Sequence, residues 1–158
     1  MGLDAQVRCR CIQDGLANPH PFPERLALDK TIEPYLTGSP TLDDWLAHDR
    51  WFKESCRHGG YMCEERLGNI DAIAHVRGIL QSLEGESTPR FPVLLGKVVF
   101  NGVHTGDYLP IDRSPELLKE VEQASTFRDK FNVCDREFFA SMNRLCKASL
   151  ETRNPIVF

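Results

Sequence analysis

Between residues 4 and 12 the chain alternates. Ala5, Val7, Cys9 and Cys11 fall on one side and Gln6, Arg8 and Arg10 on the other, the period of a half-buried strand with its basic face outward. The pattern then dissolves. Asp14-Gly15, the prolines from Pro19 to Pro23, Pro34, Gly38 and Pro40 predict an ordered loop, with room for a short strand near Arg25 to Leu28. From Thr41 the spacing turns helical, with Thr41 as cap, Asp43 and Asp44 in the first turn and Leu42, Trp45, Leu46 and Phe52 as the apolar stripe. Arg57-His58-Gly59-Gly60 ends that helix just after Cys56. A second helix is predicted from Glu65 to Glu84, on the stripe Ala72, Ile73, Val76, Ile79, Leu80 and Leu83, with Gly85 as its stop.

The most apolar run, Phe91 to Pro110, reads as a buried strand opening into the loop from Asn101 to Asp107. Ser114-Pro115 starts a third helix that buries Leu117, Leu118, Val121 and Ala124. A fourth is predicted from Asp135 to Leu150, with Phe138, Phe139, Met142, Leu145 and Cys146 inward. The tail from Asn154 to Phe158 has strand character and needs an edge to pair with. The sum is an α+β single domain over residues 1–158, a small sheet of three to five strands covered by about four helices.

Composition narrows the partners. With 158 residues, 41% hydrophobic and 27% charged, the chain can bury one good core. A net charge of −4 argues against nucleic acid or an anionic membrane as the main partner, because binding phosphates needs a basic surface. No apolar run approaches the ~20 residues that span a bilayer. The opening residues carry an acid and an arginine where a signal peptide needs its apolar region, and Gln6 breaks the myristoylation pattern after Gly2. A cytoplasmic location is therefore expected, with the six cysteines reduced.

Two constellations can carry chemistry. Cys9 and Cys11 share a strand face, while Cys56, His58 and Cys63 surround a glycine-rich turn. Zinc takes four such ligands in a tetrahedron. The spacing lacks C-x-x-C, and nothing in the sequence forces the two groups together, so burial as small core residues is the preferred reading and zinc the alternative. In the second, His104 and Asp107 stand on a loop as candidate base and orienting acid. No nucleophile motif accompanies them, and a strand connection with Asn101-Gly102 at positive φ is favoured. Trp45 and Trp51, six apart, cannot both face inward. His20, His48 and His75 read as surface or helix-face residues. Arg8, Arg10, Asn101, His104 and Asp107 are the candidates for gripping a partner.

The opening Met1-Gly2-Leu3-Asp4 with Cys9-x-Cys11, the Pro19 to Pro23 run and the stretch Lys97 to Asp107, KVVFNGVHTGD, together resemble a family of small bacterial proteins of unassigned function. The resemblance implies a compact intracellular bacterial domain and carries no catalytic roles. It marks Cys9, Cys11, Cys56, His58, His104 and Asp107 as the positions to mutate first. The expectation drawn from all of this is a binding protein with a protein partner, of which a toxin-neutralising immunity protein is one concrete version. The alternatives are a hydrolytic or metal-assisted enzyme using the His104/Asp107 loop, and a zinc-stabilised structural domain.

Overall fold

A computed structural model describes residues 2–84, 90–102 and 106–158. The alternation at the start of the chain becomes strand β1 (Gly2–Arg8), with Leu3, Ala5 and Val7 buried on one face. It runs antiparallel to β4 (Tyr61–Asn69), and the two form the most extensive contact in the fold. Two irregularities, between Leu3 and Asp4 and between Val7 and Arg8, break the register. The sheet is completed on the other side of β1 by β6 (Ile156–Val157) and then β5 (Tyr108–Leu109), giving the order β4-β1-β6-β5, all antiparallel. A separate ribbon pairs β2 (Leu26–Leu28) with β3 (Pro34–Leu36). The four α-helices among the described residues are α1 (Leu42–Glu54), α2 (Ile70–Leu83), α3 (Ser114–Ser125) and α4 (Val133–Thr152). The architecture is the expected α+β, built on one hydrophobic core in which α4 lies across β1 and β4 and α3 packs on α4.

Several expectations need correcting. The run from Phe91 is not a strand: it folds into a helical segment with a π-helical turn, Leu94–Val98, and only Tyr108–Leu109 enters the sheet. Phe91, Val93, Leu94, Val98 and Val99 are fully buried, and an unbroken apolar run does not distinguish a buried strand from a buried helix. What favours the helix is a cap from elsewhere. The buried Glu120 carboxylate on α3 accepts from the amides of Val93 (3.0 Å) and Leu94 (2.7 Å), satisfying N–H groups that a helix start leaves open.

The second helix begins at Ile70, not Glu65, because Tyr61–Asn69 pairs with β1 and Asn69 caps the helix through Ala72 N. The third is already helical at Ser114, whose hydroxyl meets Ser149 on α4 at 2.9 Å. Helix α4 is longer than expected and starts in a capping box between Asn132 and Asp135. Helix α1 does start at Thr41, in a capping box with Asp44. Three of its four expected stripe residues, however, point outward, and Phe52 is half-buried. Leu42, Trp45 and Leu46 are 74%, 41% and 53% exposed, and the buried positions are His48 and Trp51. As expected, the two tryptophans face different ways.

Candidate metal centre

Strand β1 ends at Arg8, but its pairing continues one step further: the Cys9 amide donates to Gly60 O at 3.1 Å. The residues leaving β1 and those arriving at β4 are thereby brought side by side. Past Cys9 the chain turns back on itself, with Asp14 N donating to Arg10 O and Leu16 N to Cys11 O, at 2.8 and 2.7 Å. Opposite, Gly59 N donates to Cys56 O, and Tyr61 N to His58 O. Gly59 and Gly60 have φ of 58° and 87°, a backbone that glycine enters without penalty. At Gly60 a side chain is doubly unfit, since an added Cβ would fall 2.2 Å from Phe52 Cζ.

These two turns gather four ligand atoms. The Cys9 and Cys56 sulfurs are 3.6 Å apart, and Cys11 Sγ lies 3.2 Å from His58 Nδ1. All four ligand atoms of Cys9, Cys11, Cys56 and His58 are within 4.8 Å of one another. Cys9 and Cys11 are buried, while Cys56 and His58 are half-buried at a cleft of about 530 Å³ that also touches Leu16, Asn18, Glu54 and Arg57. A tetrahedral zinc with Zn–S near 2.3 Å has S···S edges of about 3.8 Å, so the gathered set is already close to the size it would need. Nothing in the sequence forces the two pairs together; the pairing of β1 with β4 does.

The thiols do not share one environment. Burial pushes Cys9 up to about 12 and raises Cys11 as well. Burial works in the same sense on Cys56, but the amides of Gly60 and His58 and the thiols of Cys9 and Cys11 outweigh it and lower its pKa. Arg57 Nε donates to His58 Nε2 at 3.2 Å, which leaves the ring proton on Nδ1, facing the Cys11 sulfur. One buried amide holds the first turn in place. Asn154, just after α4, donates from Nδ2 to Arg8 O (3.0 Å) and Cys9 O (3.3 Å) and exchanges further hydrogen bonds with Gln13. The sequence reading passed over Asn154; its position next to Pro155 at the end of a helix gave no sign of a contact 145 residues away.

The remaining candidates lie elsewhere. Cys63 sits in β4 opposite Val7, where burial and Glu65 push its thiol up to about 11, and it is not among the gathered ligands. Arg8 is not on an outer face. It is buried, with its guanidinium between the rings of Phe52 and Tyr61 (4.8 and 4.6 Å) and an ion pair to Glu33. The register of β1 against β4 breaks between Val7 and Arg8, and Phe52 of α1 and Tyr61 cover the side chain that the alternation leaves open to solvent. Arg10 pairs with Asp14 and donates to Thr152 O.

His20 and His48, read as surface or helix-face residues, are both buried, His48 on the inner face of α1. His75 is half-exposed on its side-chain surface, as that reading has it. His104 lies outside the described residues. Gly102 has the expected positive φ of 71°, and Asp107 O accepts from Phe158 N at 2.9 Å. Asp107 lines a cleft with Lys30, Lys97, Phe100 and Tyr108, apart from the cleft at the cysteines. No helix among the described residues is long and apolar enough to cross a membrane. No protein-family model, curated protein or solved structure matches the chain.

Proposed function

We propose that this protein is a metal-stabilised binding domain in which Cys9, Cys11, Cys56 and His58 hold one zinc ion. The observation that carries the reading is the convergence of four soft donors, from two turns 47 residues apart, within 4.8 Å. Three thiolates and an imidazole suit zinc better than calcium or magnesium, which take oxygen ligands. Four protein donors complete a tetrahedron and leave no position for substrate, as in structural sites. Zinc at His58 Nδ1 would require the ring proton on Nε2, so the hydrogen bond from Arg57 Nε would be given up, and the three thiols would release their protons to solvent. The ion then ties the end of β1 to the turn before β4. Its binding free energy becomes folding free energy for this part of the sheet.

Purification under reducing conditions followed by elemental analysis tests this directly. One zinc per chain is expected, with a lower melting temperature after chelation and restoration on adding zinc. Cys56→Ser and His58→Ala should each reduce the zinc content. Metal-free protein whose melting is indifferent to both chelator and zinc would overturn the proposal.

A protein partner is supported by the outward stripe on α1. Leu42, Trp45 and Leu46, at i, i+3 and i+4, form one exposed apolar face, and isolated exposed apolar residues are common but contiguous ones mark binding surfaces. The acids Asp43 and Asp49 on the same helix, and the chain's charge of −4, favour a basic protein with an apolar centre to its surface. Co-purification with the wild type and its loss in Leu42→Glu/Leu46→Glu support this reading. Recovery of the wild-type protein alone from its host counts against it.

A further inference from the structure

The end of α3, the turn that follows it and the first half of α4 line a cleft of about 380 Å³, within the range of roughly 300–1,000 Å³ typical of small-ligand sites. Phe131, Phe139 and Ala140 give it an apolar lining, and Phe131 and Phe139 meet edge to face at 4.7 Å. Arg128, Arg136 and Arg144 line it as well. In a chain of net charge −4, three guanidinium groups around one apolar cleft run against the average.

The three arginines are not equivalent. Arg144 is held by Glu65 and Glu137, both 2.9 Å from its Nη2, and Glu65 is fixed in turn by Ser141. It is a wall already neutralised and set in place. Arg136 donates from Nε to the Asn132 carbonyl at 3.3 Å, which orients its stem and leaves its two terminal nitrogens without an acid. Among the described residues neither Arg136 nor Arg128 forms an ion pair. Planar donors of this kind match a carboxylate or a phosphate in two-point contact, and an aromatic lining accepts a ring.

We propose that this cleft binds a small planar organic anion, an aromatic ring carrying one carboxylate or phosphate, with the ring against Phe131, Phe139 and Ala140 and the anionic group between Arg128 and Arg136. The site is independent of the cysteine cluster, which lies at the β1–β4 end of the sheet.

Amide NMR titrations of the full chain test it, with benzoate and phenyl phosphate as probes, and with benzyl alcohol and inorganic phosphate as the uncharged and ring-free controls. Saturable shifts centred on Phe131, Phe139, Ala140 and Asn143 are expected with at least one aromatic anion, the acid that binds distinguishing a carboxylate site from a phosphate site. Benzyl alcohol and inorganic phosphate should bind about tenfold or more weakly than that anion, the loss expected when a charge-assisted hydrogen bond or the ring contact is missing. Arg128→Gln/Arg136→Gln, at two exposed positions, should weaken the anion by a similar factor and leave benzyl alcohol unchanged. The proposal is overturned by the absence of saturable shifts with both anions, by benzyl alcohol or inorganic phosphate binding as tightly as they do, or by an unaltered anion affinity in the double variant. The wild-type comparison of charged and neutral probes decides the matter even if that variant folds poorly.

Discussion

His20 Nε2 lies 3.0 Å from His48 Nδ1, and both rings are buried beside Trp51. The flanking contacts fix every proton. The Phe22 amide donates to His20 Nδ1 at 2.9 Å, so His20 must carry its proton on Nε2 and donate to His48 Nδ1. His48 then donates from Nε2 to the Pro34 carbonyl at 3.2 Å. The relay joins the proline loop, α1 and β3, and it works only with both rings neutral. A further proton on His20 would face the Phe22 N–H.

A loss of stability in acid follows. Burial first, with the neighbouring His48 adding to it, holds His20 below the ordinary imidazole value, against opposing contributions from the Phe22 backbone and Glu24. Because the folded value lies under the unfolded one, this contribution is complete above the unfolded pKa of about 6.5 and is lost as pH falls from there through the folded value. Denaturant unfolding at pH 8 and pH 5.5 should show the protein less stable at the lower pH, and His20→Gln should shrink that difference. An equal pH response in the variant would assign the acid sensitivity to other groups.

Asn154 supplies a second test, separating support of the cluster from general stability. Its carboxamide is fully buried and donates to the carbonyls of Arg8 and Cys9. Asn154→Ala leaves these acceptors and the Gln13 amide without their partner, a cost of about 1–3 kcal/mol. The same change lets the Cys9 turn drift, so zinc affinity should fall several-fold in a competition titration with a chromophoric chelator. Ile73→Val, in the core on α2, costs a comparable 0.5–1.5 kcal/mol or so and should leave zinc affinity unchanged. If both variants shift the affinity equally, Asn154 acts through stability alone.

The four ligands were each legible as residues able to bind zinc, and their convergence was not. The obstacle was β4. Glu64, Glu65 and Arg66 resemble the first turn of the helix that follows, and local spacing carries no record of a partner sixty residues earlier. Once Tyr61–Asn69 is a strand antiparallel to β1, the residue after Arg8 must lie beside the residue before Tyr61, and the two thiol groups meet. The Phe91 run failed in the same way, because its helical form depends on Glu120, 26 residues further along. Where elements are set by local chemistry, as with the Thr41 cap or the Leu117 and Val121 face of α3, sequence and structure agree. Residues whose conformation is decided by a distant partner were the ones misread.

Glu120 can be tested on that basis. Glu120→Gln keeps one side-chain oxygen, and Oε2 alone already accepts from both Val93 and Leu94, at 3.0 and 2.7 Å, while Glu120→Ala strands two buried amides at the start of the π-helical segment. Alanine should therefore cost about 2–6 kcal/mol, at the usual penalty of 1–3 kcal/mol for each of two unsatisfied groups, and glutamine less. Urea denaturation of both variants checks the order. Equal losses would mean that the acceptor oxygen kept by glutamine does not cap the segment.

Glycine 60 ties the fold to the cluster most tightly. Its φ of 87° resembles that of Gly38, at 82°, so alanine at either position meets a similar backbone penalty of about 1–2 kcal/mol. The surroundings differ. Nothing lies within 4 Å of an added Cβ at Gly38, whereas at Gly60 it would strike the Phe52 ring at 2.2 Å. That ring packs on the Arg8 guanidinium, and Gly60 O accepts from Cys9 N, so the displacement passes straight to the turn carrying Cys9. Gly38→Ala should lower stability by the backbone cost alone and retain zinc. Gly60→Ala should lose several kcal/mol, the range of overpacking added to backbone strain, and its zinc affinity should fall in step. Melting curves with and without zinc separate the two: a Gly60→Ala protein that binds zinc as tightly as the wild type would show that the β1–β4 junction does not position the ligands.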